Sequence, residues 1–253
     1  MSFKKRTKII APSFESSSPS AQQTVHNKKT FVTFNTEPTT SKILGGAATG
    51  TAGDENVMML PDAGFEYHIL GTQTILAPKM ATGGLDVNMD QTANDGIEIS
   101  QGRQTASKHA YTTGTDGPFF LRVKLSVADV SGADECAIGF RTAAAYQAAI
   151  DDYEDMAVLN VIAGAINIET IQDDNATTTT DTTDTVADGV TVELKVRVTA
   201  AGVVTYLIDG VAPTTTAAFT FDAATVVVPF FYFLNDADIA GATILQEWEC
   251  GLE

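Results

Sequence analysis

Apolar residues recur at alternate positions along most of this chain, in runs short enough to be single strands. In "GPFFLRVKLSVADV" (117–130), Leu121, Val123, Leu125 and Val127 alternate with Arg122, Lys124 and Ser126. "VTVELKVRVTAAGVVTYLIDG" (190–210) reads as two strands and a turn, with aliphatic side chains on one face and Glu193, Lys195 and Arg197 on the other. The same period continues through "FEYHIL" (65–70), "LDVNMD" (85–90), "GIEIS" (96–100), "CAIGFR" (136–141), "MAVLNVIAG" (156–164), "AINIETIQ" (165–172), "AAFTFDA" (217–223) and "ATILQEWEC" (242–250). Successive strand side chains point to opposite faces, so a period of two means one face in a core and one outside. Runs of this length, separated by Gly, Asp, Asn and Thr clusters and rich in β-branched and aromatic residues, predict an antiparallel β-sandwich or barrel. "VVVPFFYFLN" (226–235) is apolar on both faces, which predicts a central strand covered from both sides.

Three segments break the rhythm. "TAAAYQAAIDDYEDM" (142–156) is alanine-rich and has Tyr146 and Ile150 at i and i+4, the spacing of a short surface helix covering one end of a sheet. "ATTTTDTTDTVADG" (176–189) reads as a loop. Residues 1–53 are dominated by Ser, Thr, Gly, Pro and Gln with small apolar islands, and cannot form a core of their own. The expected organisation is therefore an extended N-terminal arm (1–53) and one β-sandwich domain (54–253). An arm of this kind takes its shape by lying on a partner.

Charge sharpens that division. Residues 1–29 carry six basic side chains against the single acid Glu15, while the other 224 residues carry nine basic and 31 acidic ones, a net charge of −22. An acidic body repels nucleic acid, and the arm has too few clustered cations, with no interleaved aromatics, to be a nucleic-acid arm. No apolar run reaches the ~18–20 residues of a membrane helix, and "MSFKKRTKII" lacks the apolar core of a secretory signal. Neither nucleic acid nor a membrane is therefore expected as a partner. Cys136 and Cys250 lie at strand-like apolar positions outside any zinc-type spacing. Two buried free thiols are the favoured reading, and a disulfide between the two strands is the alternative.

The sequence offers little chemistry. Glycoside hydrolysis needs two acids roughly 5–10 Å apart. Glu247 and Glu249 beside Trp248, or the acids of "DDYEDM" (151–156), are the nearest approach, and a solvated acidic rim is the favoured reading of both. The histidines His26, His68 and His109 are scattered, and there is no Gly-x-Ser-x-Gly elbow. Asp86, Asn88 and Asp90 occupy calcium-loop positions one, three and five, but Gln91 and Ile97 stand where that loop requires Gly and Glu. No catalytic residue, metal site or cofactor is expected. For sugar binding, Trp248 and the aromatics of "PFFYF" are the candidate platforms, but core burial is the favoured reading.

The blocks "GFRTAAAYQAAIDDYEDMAVLN" and "VVPFFYFLNDAD", together with the "VELKVRVTAAGVVTYLIDG" hairpin, resemble a domain of tailed marine bacteriophages: their concanavalin A-like (laminin-G-like) jelly-roll capsid decoration proteins. The likeness runs from about Gly117 to Gly251 and extends weakly to residue 85. It implies two sheets of the concanavalin type packed face to face, on a virion structural protein sitting outside a capsid shell assembled in the host cytoplasm. The implied partners are the major capsid protein and neighbouring copies of the chain as a homo-oligomer. The arm would be the gripping element, with Phe3, Ile9, Ile10, Phe14, Phe31 and Phe34 as apolar anchors and Lys4, Lys5, Arg6 and Lys8 steering the encounter. A lectin-like adhesion module that binds carbohydrate is the alternative expectation.

Overall fold

The computed structural model describes residues 29–42, 55–60, 63–102, 109–238 and 241–253. In chain order its strands are β1 (Thr30–Thr33), β2 (Thr39–Lys42), β3 (Glu55–Met59), β4 (Gly64–Leu70), β5 (Lys79–Ala81) and β6 (Gly84–Asp86). Next come β7 (Gly96–Ser100), β8 (Tyr111–Thr112), β9 (Phe119–Val127), β10 (Ala133–Thr142), β11 (Met156–Ile162) and β12 (Ala165–Ile171). The last five are β13 (Thr178–Thr185), β14 (Thr191–Val198), β15 (Val204–Ile208), β16 (Val226–Asn235) and β17 (Thr243–Leu252). They form an antiparallel jelly-roll sandwich. One sheet of seven strands runs β15-β14-β9-β17-β6-β5, with β1 also on β17. The other, of ten, runs β13-β12-β11-β10-β16-β7-β4-β3-β2, with β8 also on β16.

The alternation in the sequence becomes the two-layer core. Leu121, Val123, Leu125, Val192, Leu194, Val196 and Trp248 face Ile97, Ile99, Ile138, Phe140, Leu159, Ile168, Phe231 and Phe233, all buried. The β14–β15 hairpin forms as expected. Gly202, at φ +86°, closes it where a Cβ would lie 2.3 Å from the carbonyl oxygen of Phe221. β16 is central in the larger sheet, between β10 and β7. Its second apolar face, Phe230 and Tyr232, joins a smaller cluster with Leu70, Ile150, Met156, Val158 and Ile171 outside the sheet.

Three expectations are corrected. First, Thr30–Thr33 is a strand of the body, antiparallel to β17 with Phe31 opposite Glu249, and Thr39–Lys42 pairs with β3 in the other sheet. The β body thus begins well before residue 54. Second, the 142–156 segment holds no helix: residues 143–155, between β10 and β11, form a covering loop with one 3-10 turn at Ile150–Asp152. Ile150 and Tyr153 do bury and Tyr146 is half-buried, but tertiary hydrogen bonds capture the backbone, as described below, and override alanine's helix preference. Third, Thr178–Thr185 is an edge strand paired with β12, consistent with threonine's β preference.

Candidate functional site

The outer face of the ten-stranded sheet carries polar side chains where a two-sided core would have apolar ones. Register places His68, Glu98, Tyr232, Ala137, Asn160 and Asn167 in one row across β4, β7, β16, β10, β11 and β12. The adjacent row holds Glu66, Ser100, Phe230, Gly139, Val158 and Glu169. Ala137 and Gly139 keep the middle of this surface low, and the 143–155 loop crosses it.

An ion pair anchors the loop. Arg141 Nη2 lies 2.6 Å from Glu98 Oε1, with both side chains wholly buried, and Arg141 Nε donates to the same oxygen at 2.8 Å. The other carboxylate oxygen accepts from the Tyr153 hydroxyl at 2.7 Å. The guanidinium lies over the Tyr153 ring, 4.3 Å from its centroid, and donates through Nη1 to the Thr142 carbonyl at 2.9 Å. The Tyr153 hydroxyl in turn accepts from the Gln147 N–H at 3.3 Å. These contacts hold the segment in its non-helical course. Burial, reinforced by the Glu98 charge, pushes the Tyr153 phenol far above its ordinary range.

Beside this satisfied network sits an unsatisfied one. Tyr146, from the loop, stacks on His68 at 4.4 Å with the rings nearly parallel. Both ring nitrogens of His68, the Ser100 hydroxyl and the Tyr146 hydroxyl are buried without a hydrogen-bond partner among the described residues. Each orphaned buried polar group costs about 1–3 kcal/mol, so their concentration in one place is unusual for a purely structural surface. Burial, with the nearby Arg141 charge adding to it, lowers the His68 pKa to about 4. The imidazole is therefore neutral at pH 7, with one donor and one acceptor nitrogen. Hydroxyls at Ser100 and Tyr146 can likewise both give and accept. This set is suited to a neutral, hydroxyl-rich ligand.

The flank toward β12 is acidic. Glu135 is raised to about 8, first by burial and then by the charges of Asp134, Glu169 and Asp151. Glu169 accepts from Asn160 Nδ2 at 2.8 Å and Thr179 Oγ1 at 3.2 Å.

The sequence candidates fall elsewhere. Trp248 is buried between the sheets and donates to Gln101 Oε1 at 2.8 Å, and the "PFFYF" rings are buried too, so neither is a sugar platform. Glu247 and Glu249 stand on the outer face of the seven-stranded sheet, each paired to Arg122 at 3.0 Å. Burial works to raise Glu249, but hydrogen bonds from Lys29 and Arg122 hold it below its ordinary value. Asp90 accepts from the Ile75 N–H, and Asn88 bridges Gly241 and Asn235, so the calcium-like spacing serves turn hydrogen bonds. Among the described residues no group of three or more His, Cys, Asp or Glu side chains is placed to hold a metal ion, and no helix is long and apolar enough to cross a membrane. Cys136 and Cys250 are both buried thiols with no disulfide between them, and burial pushes Cys136 up to about 12.

Of the expected partner anchors, Phe3, Lys4, Lys5, Arg6, Lys8, Ile9, Ile10 and Phe14 lie outside the described residues. Phe34 is 2% exposed and packs on Phe65, which meets Trp248 edge-on. It is a core residue and offers a partner nothing. Phe31 is 53% exposed.

The residues that line the loop-covered face, His68, Glu98, Ser100, Arg141 and Tyr153, were missed as functional candidates. The available signal was an acid in "GIEIS" and an arginine in "CAIGFR", both on the side of their strands that faces away from the main core.

No protein-family model matches the chain, and no curated protein sequence does. Among solved structures it is similar to the carbohydrate recognition domain of Emp47p, at 11% identity and TM-score 0.49 over 74% of this chain and 88% of that one. It is also similar to Caenorhabditis elegans galectin LEC-6, at 13% identity and TM-score 0.34 over 61% and 95%. A protein of unknown function from Shewanella oneidensis MR-1 matches at 14% identity and TM-score 0.43 over 96% and 97%.

Proposed function

We propose that this chain is a lectin-like binding module that takes a neutral saccharide on the outer face of the ten-stranded sheet, beneath the 143–155 loop. One observation carries the reading: donors and acceptors without a partner among the described residues share one face, with His68 stacked on Tyr146 and Ser100 in the next row of the adjacent strand. A sugar's adjacent hydroxyls would satisfy them, and the loop would lift to admit it, breaking the His68–Tyr146 stack. The reading is of binding without catalysis. Of the acids that the sequence offers for hydrolysis, Glu247 and Glu249 are on the other sheet and held by Arg122, while those of "DDYEDM" lie on the covering loop itself, where Asp155 accepts from the Asp173 N–H. A glycan array, followed by calorimetry on each hit, tests it. Wild-type protein should bind at least one neutral glycan, and His68→Ala and Ser100→Ala should each weaken that binding about tenfold, the loss expected from ~1.4 kcal/mol. An array without hits, or hits indifferent to both substitutions, contradicts it.

A second reading keeps the virion role, as outer cladding that grips the major capsid protein. It draws support from Phe31, an exposed aromatic on the first strand, reached directly from the basic leading residues. If it holds, Phe31→Ser combined with Ser at Lys4, Lys5, Arg6 and Lys8 abolishes capsid occupancy while the body stays folded. Unchanged occupancy ends it.

A further inference from the structure

The outer face of the seven-stranded sheet is where charge in this molecule is balanced. Its rows run across five strands: Leu207, Lys195, Arg122, Glu249 and Phe31 in one, Glu193, Lys124, Glu247 and Thr33 in the next, and Thr205, Arg197, Phe120 and Gly251 in the third. With Lys29 and Glu253 alongside, the face holds five cations and four carboxylates, one positive charge net, on a chain of −17. Arg122 binds Glu193 at 2.7 Å as well as Glu247 and Glu249. Lys195 lies 4.2 Å from the Phe120 ring centroid, and Arg122 lies 5.8 Å from that of Phe31. Phe31 and Val203 are exposed apolar residues that point outward from the same face.

We infer that this face is a docking surface for a second copy of the chain, packed back to back through the seven-stranded sheets. Copies meeting through another surface of residues 30–253 would set acid against acid, because outside this face those residues carry 27 acids and five basic side chains. Here each copy offers interspersed charges of both signs, so a two-fold contact, in which the same patch serves both partners, can place lysines against carboxylates. Phe31, Val203 and Leu207 supply apolar contact. The extent approaches what is needed: strands of five, eight, nine, ten and four residues, at ~3.4 Å per residue and ~4.8 Å spacing, give roughly 590 Å² in flat projection, against the ~800 Å² that each partner contributes to a standard interface. This inference is independent of the saccharide reading, which concerns the opposite sheet.

Sedimentation velocity or light scattering on the full chain at about 100 μM protein and ~0.05 M salt tests it, the low ionic strength favouring the charge contacts. A species of twice the 26.7-kDa chain mass is expected, weakening as salt is raised. Thr205→Arg with Phe31→Ser should return the protein to monomer, while Thr178→Arg, on the edge of the other sheet, should leave the dimer intact. Circular dichroism and melting establish that each variant is folded. A monomeric wild type overturns the inference, and so does a dimer that survives the Thr205/Phe31 variant. Should that variant fail to fold, Lys124→Gln, a milder change to the same face, is measured instead under the same two outcomes.

Discussion

Arg141 and Glu98 meet at 2.6 Å with neither side chain exposed, at the point where the 143–155 loop is tied to the ten-stranded sheet. Removing one member of such a pair strands a buried charge, at a cost of about 3–5 kcal/mol. Glu98→Leu and Arg141→Leu should each lower unfolding free energy by that amount in urea titrations. The double variant should recover a large part of the loss.

His68 makes native stability sensitive to acid. Its pKa is about 4 in the folded chain against 6.5 as a free imidazole. Between those values the unfolded chain holds more protons, so stability rises with pH. The contribution is complete above about 6.5 and falls by up to ~3 kcal/mol on descending to about 4. His68→Phe, which can keep the stack on Tyr146, should flatten this limb of a stability–pH profile. It should also stabilise the ligand-free protein at pH 7 by about 1–3 kcal/mol, because a buried unpartnered imidazole is gone.

Glu135 acts in the opposite direction. Its folded value of about 8 exceeds the ordinary 4.5, so the native chain holds more protons between those limits and stability declines as pH rises through them. Glu135→Gln should remove that decline, most visibly near pH 8. Thermal melts of wild type and variant across pH 5 to 9 provide the check.

Both cysteines are buried, and Cys136 is held as a thiol by its apolar surroundings. Reaction requires the thiolate and access to it. Native protein should therefore react negligibly with a disulfide reagent at pH 8, and unfolded protein should titrate two thiols at once.

The sheets were legible because strand alternation is a local property. Leu121 through Val127 and Val192 through Val198 announce their inward face without reference to anything distant. Phe230 and Tyr232 could be assigned to a doubly covered strand because both faces were apolar. The candidate site was hidden for the converse reason. In "GIEIS" the same alternation that buries Ile97 and Ile99 makes Glu98 and Ser100 look solvated, yet both are buried, Glu98 under Arg141 and a loop tyrosine some fifty residues later in the chain. That loop looked helical because propensity counts alanines, and it cannot count Arg141 or Tyr153 drawing backbone groups away. Phe31 and Phe34 sit three residues apart in a polar stretch, and their opposite fates depend on β17, more than two hundred residues distant.

The crystal structure of this chain with a bound neutral glycan is the most direct test of the saccharide site. The account predicts sugar hydroxyls within hydrogen-bond distance of His68 and Ser100, with Tyr146 displaced from its stack. A glycan bound on the other sheet, or at a surface that leaves the His68–Tyr146 stack intact and Ser100 without a sugar contact, would contradict it.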